Sequence, residues 1–61
     1  MKRTFFDTHT DMDVCVQAYS IRHEDSEVIM HLKNVNDDKT QDVALSEFLS
    51  TRFMERVYCF V

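Results

Sequence analysis

Val14-Cys15-Val16-Gln17-Ala18-Tyr19-Ser20-Ile21-Arg22 and Glu27-Val28-Ile29-Met30-His31-Leu32-Lys33 carry most of what this chain says about its fold. In the first run Val14, Val16 and Ala18 alternate with Cys15 and Gln17. In the second, Val28, Met30 and Leu32 alternate with Ile29, His31 and Lys33. Side chains of a strand point to opposite faces with a period of two, so each run reads as a half-buried strand. Four polar residues, 23–26, separate them, which predicts a hairpin with a short connection. A helix over Asp11–Arg22 competes for the first run, with Thr10 as cap, Asp13 in the first turn, and Met12, Val16 and Tyr19 on one face. Thr4-Phe5-Phe6 is a candidate third strand.

Working outward, the clearest helical period lies near the C-terminus. Leu45, Phe48, Leu49, Phe53 and Val57 recur at helical spacing, with Glu47, Ser50, Thr51 and Glu55 largely on the other side. Thr40 or Asp42 suits the cap, and the acids Asp42 and Glu47 precede Arg52 and Arg56 in the order that complements a helix dipole. The spacing predicts a helix over 42–55. The run 57–61, β-branched and aromatic, reads as a last strand or as the frayed helix end. The expected fold is therefore α+β: a small antiparallel sheet of two or three strands packed by one C-terminal amphipathic helix. A hairpin alone is marginal in water, so the helix is needed to cover it.

The 61 residues allow a single small domain, residues 1–61. A chain of this size buries only ~60% of its unfolded surface. Its expected stability is about 3–9 kcal/mol. Glycine and proline are both absent. Without glycine there is no phosphate-cradling loop, no dinucleotide fingerprint and no EF-hand of the usual form. Turns must rest on Asn and Asp, in the clusters His23–Ser26 and Asn34–Asp38. The net charge of −4 argues against direct nucleic-acid binding. Two cysteines, Cys15 and Cys59, do not make a disulfide framework. With no leader-like segment and no apolar run long enough for a membrane, the expected location is the cytoplasm.

Asp7, His9, Asp11 and Asp13 alternate, and in an extended chain they would share one side and suit a divalent metal. The competing reading is a solvated polar turn with helix-capping acids. Phe6-Asp7-Thr8-His9 resembles the opening strand of the TatD-type metal-dependent deoxyribonucleases. That family has a second His two residues on, where this chain has Asp11, and draws further ligands from a whole (β/α) barrel. So short a likeness does not imply membership. Zinc held by Cys15, Cys59 and two of His9, His23 and His31 lacks the close ligand pairs of structural sites. A nucleophile elbow cannot be written without glycine.

No catalysis and no cofactor are therefore expected. The leading expectation is a small acidic protein-interaction module, a regulator or inhibitor of the kind found among mobile-element accessory proteins. Its partner would be another protein, with a basic or nucleic-acid-binding surface as one option. The candidate contacts are Glu24, Asp25, Asp37 and Asp38 in the acidic turns, with Arg52, Arg56, Tyr58 and Phe60 at the aromatic, arginine-bearing C-terminus. The alternatives are a metal-binding protein using Asp7–Asp13 and a structural homo-oligomer; a homodimer through the C-terminal segment is a further expectation.

Overall fold

The computed structural model describes the backbone of residues 2–58 and the side chains of residues 3–56. Five strands and one helical turn follow in order: β1 (Lys2–Asp7), β2 (Met12–Ile21), β3 (Val28–Asn34), β4 (Thr40–Ala44), α1 (Leu45–Phe48) and β5 (Phe53–Tyr58). They build one antiparallel sheet in the order β4-β3-β2-β1-β5. The first four strands form an up-and-down meander. The chain then crosses through α1 from the β4 edge and returns as β5 on the far side of β1.

The hairpin reading holds, and β2 is a strand, not a helix over Asp11–Arg22. Thr4-Phe5-Phe6 lies within β1 as expected. The α+β expectation fails at the C-terminal third. Residues 42–55 are not one helix: Asp42–Ala44 complete β4, α1 is a single turn, and Phe53 opens β5. Among the described residues there is no two- or three-stranded sheet under a long helix.

The reason lies in where backbone bonds are gained. β5 matches β1 residue for residue from Asp7↔Phe53 to Lys2↔Tyr58. The carbonyl of Arg52 also accepts from the Thr8 N–H at 2.8 Å and the Thr8 hydroxyl at 2.7 Å. A lone amphipathic helix on so small a sheet has no such partners. The helix actually formed begins at Leu45, with Ala44 at the N-cap position and no side-chain cap, because the expected caps Thr40 and Asp42 belong to β4. Leu49, assigned to the helix's apolar face by spacing, is exposed. Of the terminal run 57–61, Val57 and Tyr58 end β5, and 59–61 lie outside the described residues.

The core is the concave face of the curled sheet. Val14, Leu32, Val43 and Phe53 are buried, with Phe5, Met30 and Phe48 packed around them. Each large apolar side chain fully buried contributes about 1.5–3 kcal/mol. α1 supplies Phe48, whose ring meets Phe5 edge-on at 4.9 Å and Phe53 at 5.3 Å. One helical turn suffices because its task is to insert this ring.

Three turns are made without glycine. Asp11, Ser26 and Asp38 adopt positive φ of 62°, 56° and 62°. Asp tolerates this region better than most residues, and Ser26 less well. In each turn an Asp carboxylate accepts the N–H two residues on: Asp7 from His9, Asp25 from Glu27 and Asp37 from Lys39. The acids that dominate these segments are thus turn builders.

A register shift between Val16 and Ala18 marks a β-bulge in β2. It changes the expected alternation. Ala18 leaves the face of Val14 and Val16, and Tyr19 and Ile21 take its place opposite Met30 and Val28.

Candidate functional site

The expected metal cluster is dispersed. Thr8–Asp11 is a turn, so the alternation from Asp7 to Asp13 does not place four ligands on one side. Asp7 is fully buried and bound by Arg52 through two hydrogen bonds, Nε to Oδ1 at 2.8 Å and Nη2 to Oδ2 at 2.9 Å. Gln41 Nε2 donates to Oδ2 at 3.1 Å, and the His9 N–H to Oδ1 at 2.9 Å. Gln41 Oε1 in turn accepts from Arg52 Nη2 at 3.0 Å. The Arg52 guanidinium, more than the other donors, holds the Asp7 carboxyl well below the usual carboxylate range. Four donors occupy the acceptor sites of one carboxylate, leaving it little capacity for a ligand or a proton. This latch joins β1, β4 and the segment before β5, and it holds the curl of the sheet. Asp13 turns to the other face, with Arg56 Nε at 3.7 Å. Among the described residues no three His, Cys, Asp or Glu side chains gather as a metal site.

The eight expected partner contacts do not form one surface. Glu24 and Asp25 lie in the turn before β3, Asp37 and Asp38 in the turn after it. Seven residues of strand separate these turns, roughly 23 Å at about 3.3 Å per residue. Asp25 binds Arg22 at 2.6 Å, which lowers the Asp25 carboxyl and raises the Arg22 guanidinium. Asp38 meets Lys33 at 3.3 Å. Glu24 is exposed at the tip of the β2–β3 hairpin. Arg52 belongs to the buried latch. Arg56 lies 4.4 Å over the Phe6 ring beside Asp13. Tyr58 ends β5 opposite Lys2, with its side chain outside the described set, and Phe60 lies outside the described residues.

What the fold does expose is the distal half of the β2–β3 hairpin. β1 pairs with β2 only at Met12, Asp13 and Val14. From Cys15 to Ile21 that edge of β2 has no strand partner among the described residues. The Arg22 N–H donates to the Glu27 carbonyl at 2.8 Å. Ladder bonds alternate in an antiparallel pair, so Ser20 and Ala18 bond to β3 while the N–H and C=O of Tyr19 and Ile21 point outward. Val16, Tyr19 and Ile21 are exposed, the last two to 68% and 58%, on the core-side face of this arm. No residue from Cys15 to Ile21 is charged. The bulge that created this face could not be read from alternation alone.

The opposite face of the same arm carries a second polar array. Ser20 Oγ lies 2.9 Å from His31 Nε2, and His31 Nδ1 lies 2.8 Å from Asp42 Oδ1. Sequence reasoning missed it. Its signal was register: once β2, β3 and β4 are paired, His31 falls opposite both Ala18 and Asp42. Further along this face Cys15, Gln17, Lys33, Asn34, Val35 and Asp38 line a cleft of about 300 Å³. Among the described residues no helix is long and apolar enough to cross a membrane. No family model, curated protein or solved structure matches the chain.

Proposed function

We propose that this chain is a small, acidic, non-enzymatic protein-interaction module, a cytoplasmic regulator or inhibitor, which takes an extended segment of another protein along the open edge of β2. The supporting observation is that edge: Cys15–Ile21, uncharged, with two residues' backbone groups turned outward and Val16, Tyr19 and Ile21 beside them. Edge strands of monomers are ordinarily blunted by charge, proline or cover. Among the described residues only the bulge plays that part. A strand added at such an edge gains main-chain hydrogen bonds, and alternate side chains supply specificity. The charge of −4 on each copy disfavours a second copy as occupant, and exposed Glu24 near the end of the edge favours a segment bearing Lys or Arg.

The test uses peptides selected from a random-sequence display library on the whole chain. Enriched peptides should alternate apolar residues and carry a basic one, and on titration should shift the amide signals of Cys15–Ile21. Ile21→Pro removes an outward N–H and no ladder bond to β3. It should weaken binding at least about tenfold, or 1.4 kcal/mol, with an unchanged melting temperature. Peptides that shift β5 instead, or that bind Ile21→Pro as tightly as wild type, would overturn the reading. So would a dimer in light scattering whose contacts occupy the same edge.

A further inference from the structure

We propose that Ser20 is an acyl-acceptor site, whose hydroxyl takes an acyl group from an activated ester or thioester with His31 as base and Asp42 as its positioning residue. The proposal does not depend on the edge-binding reading: its three side chains lie on the other face of the arm, and it shares with that reading only the outward Ile21 N–H.

The two short contacts lie on opposite nitrogens of one imidazole. An ionised carboxylate only accepts, so Asp42 selects the tautomer with the proton on Nδ1. The lone pair of Nε2 is then directed at the Ser20 hydroxyl. A nucleophile, a base and a group that orients the base are the arrangement that activates a serine. Three paired strands hold it: His31 sits opposite Asp42 on β4 and Ala18 on β2, and Ser20 follows Ala18 by two residues on the same face. The His31 side chain is 35% exposed, so a donor in solution reaches it.

In the step, Ser20 Oγ attacks the acyl carbonyl carbon and its proton passes to His31 Nε2. The bond from that carbon to the leaving oxygen or sulfur breaks. The leaving group departs with the electron pair and takes the proton from His31. The products are O-acyl-Ser20 and an alcohol or thiol, with no change of oxidation state. Ile21, next in the chain, has a backbone N–H that β3 does not use. One such donor on an open face suits a single transfer; rapid turnover calls for several donors in a water-excluded site.

The experiment incubates the whole chain with p-nitrophenyl acetate and follows acetylation of each residue by peptide mass spectrometry. Ser46, exposed on α1, is the internal reference. A positioned base contributes at least about a hundredfold, so Ser20 should be acetylated about 100 times faster than Ser46. His31→Gln should bring Ser20 down to the Ser46 rate. Asp42→Asn should slow labelling and displace its pH profile, which a purely structural role would not do. The circular dichroism of these surface variants should match wild type. Ser20 reacting no faster than Ser46, or labelling at the wild-type rate in folded His31→Gln, overturns the proposal.

Discussion

Two arrays of three polar side chains tie strands of this sheet together, and they differ chiefly in their access to water. In the first, Asp7 of β1 meets Gln41 of β4 and Arg52 before β5, with the Asp7 side chain 0% and the Arg52 side chain 15% exposed. In the second, Ser20, His31 and Asp42 join β2, β3 and β4, with Asp42 63% exposed. The bonds are of similar length. Burial makes the first indispensable, because a buried charge left unpaired loses its partner without regaining water. Exposure makes the second dispensable for folding and accessible to reagents. The same chemistry thus yields a latch at one place and a reactive face at the other.

The sharpest way to break this contrast is to remove a charge from the latch. Breaking a buried ion pair from one side costs about 3–5 kcal/mol. The whole chain has only about 3–9 kcal/mol to lose. Asp7→Ala should therefore lose at least about a third of the stability, and all of it if the total lies at the low end, as read by denaturant titration with circular dichroism. A cost below about 1 kcal/mol would mean that the curl of the sheet does not need the latch.

Acid should act on the same end. The unfolded Asp carboxyl titrates near 3.9, while Arg52 holds the folded one well below its usual range. A depressed folded pKa gives stability that is complete above the unfolded value and fades as the pH falls towards the folded one. The denaturant midpoint should thus drop steeply below about pH 4. In Asp7→Asn, measured in a stabilised background, that part of the drop should disappear and the curve should flatten.

Turn chemistry offers a smaller effect of opposite sign. Ser26 holds φ of 56° at the tip of the arm. Left-handed backbone costs a non-glycine residue roughly 1–2 kcal/mol. Glycine's greater freedom in the unfolded chain returns about 0.5–1 of this. Ser26→Gly should raise stability by up to about 1.5 kcal/mol, seen as a higher melting temperature, and would contribute to the background just mentioned.

Strands β2 and β3 were legible because alternation is a local signal: Val28, Met30 and Leu32 face the core as their spacing says; β4 was not, since Thr40 and Asp42 read as caps of a helix. Phe53 misled because only the helical period is visible around it. It follows Leu45 and Leu49 at helical spacing, while Phe53-Met54-Glu55-Arg56 shows no apolar–polar alternation to mark the strand it opens. Only the pairing with Lys2–Asp7, some fifty residues earlier, decides for the strand, and no local window contains it. What the expected contact residues do within the fold was hidden for a related reason. The acids of residues 23–26 and 34–38 were correctly placed in turns, but their work there is to accept their own backbone N–H groups. Arg52 looked like a surface contact until Asp7 was seen beneath it. Ser20, His31 and Asp42 are distant in sequence and carry no motif.

The smallest effect expected is in the exposed array, and it sharpens the contrast best. A double-mutant cycle over His31→Gln and Asp42→Asn isolates the coupling between the two side chains. Exposed pairs couple by about 0.2–1 kcal/mol because water solvates both partners once the contact is lost. Each single variant should accordingly shift stability by less than about 1 kcal/mol. The corresponding cycle over Asp7→Asn and Arg52→Met should give a coupling several times larger, since neither partner regains full hydration there. Raising the salt concentration should shrink the first coupling more than the second, because exposed charges are screened within a Debye length of ~10 Å at 0.1 M. Equal couplings with equal salt responses would show that burial is not what separates the two arrays. The stability of the arm would then have to be sought in the backbone ladder between Ala18 and His31.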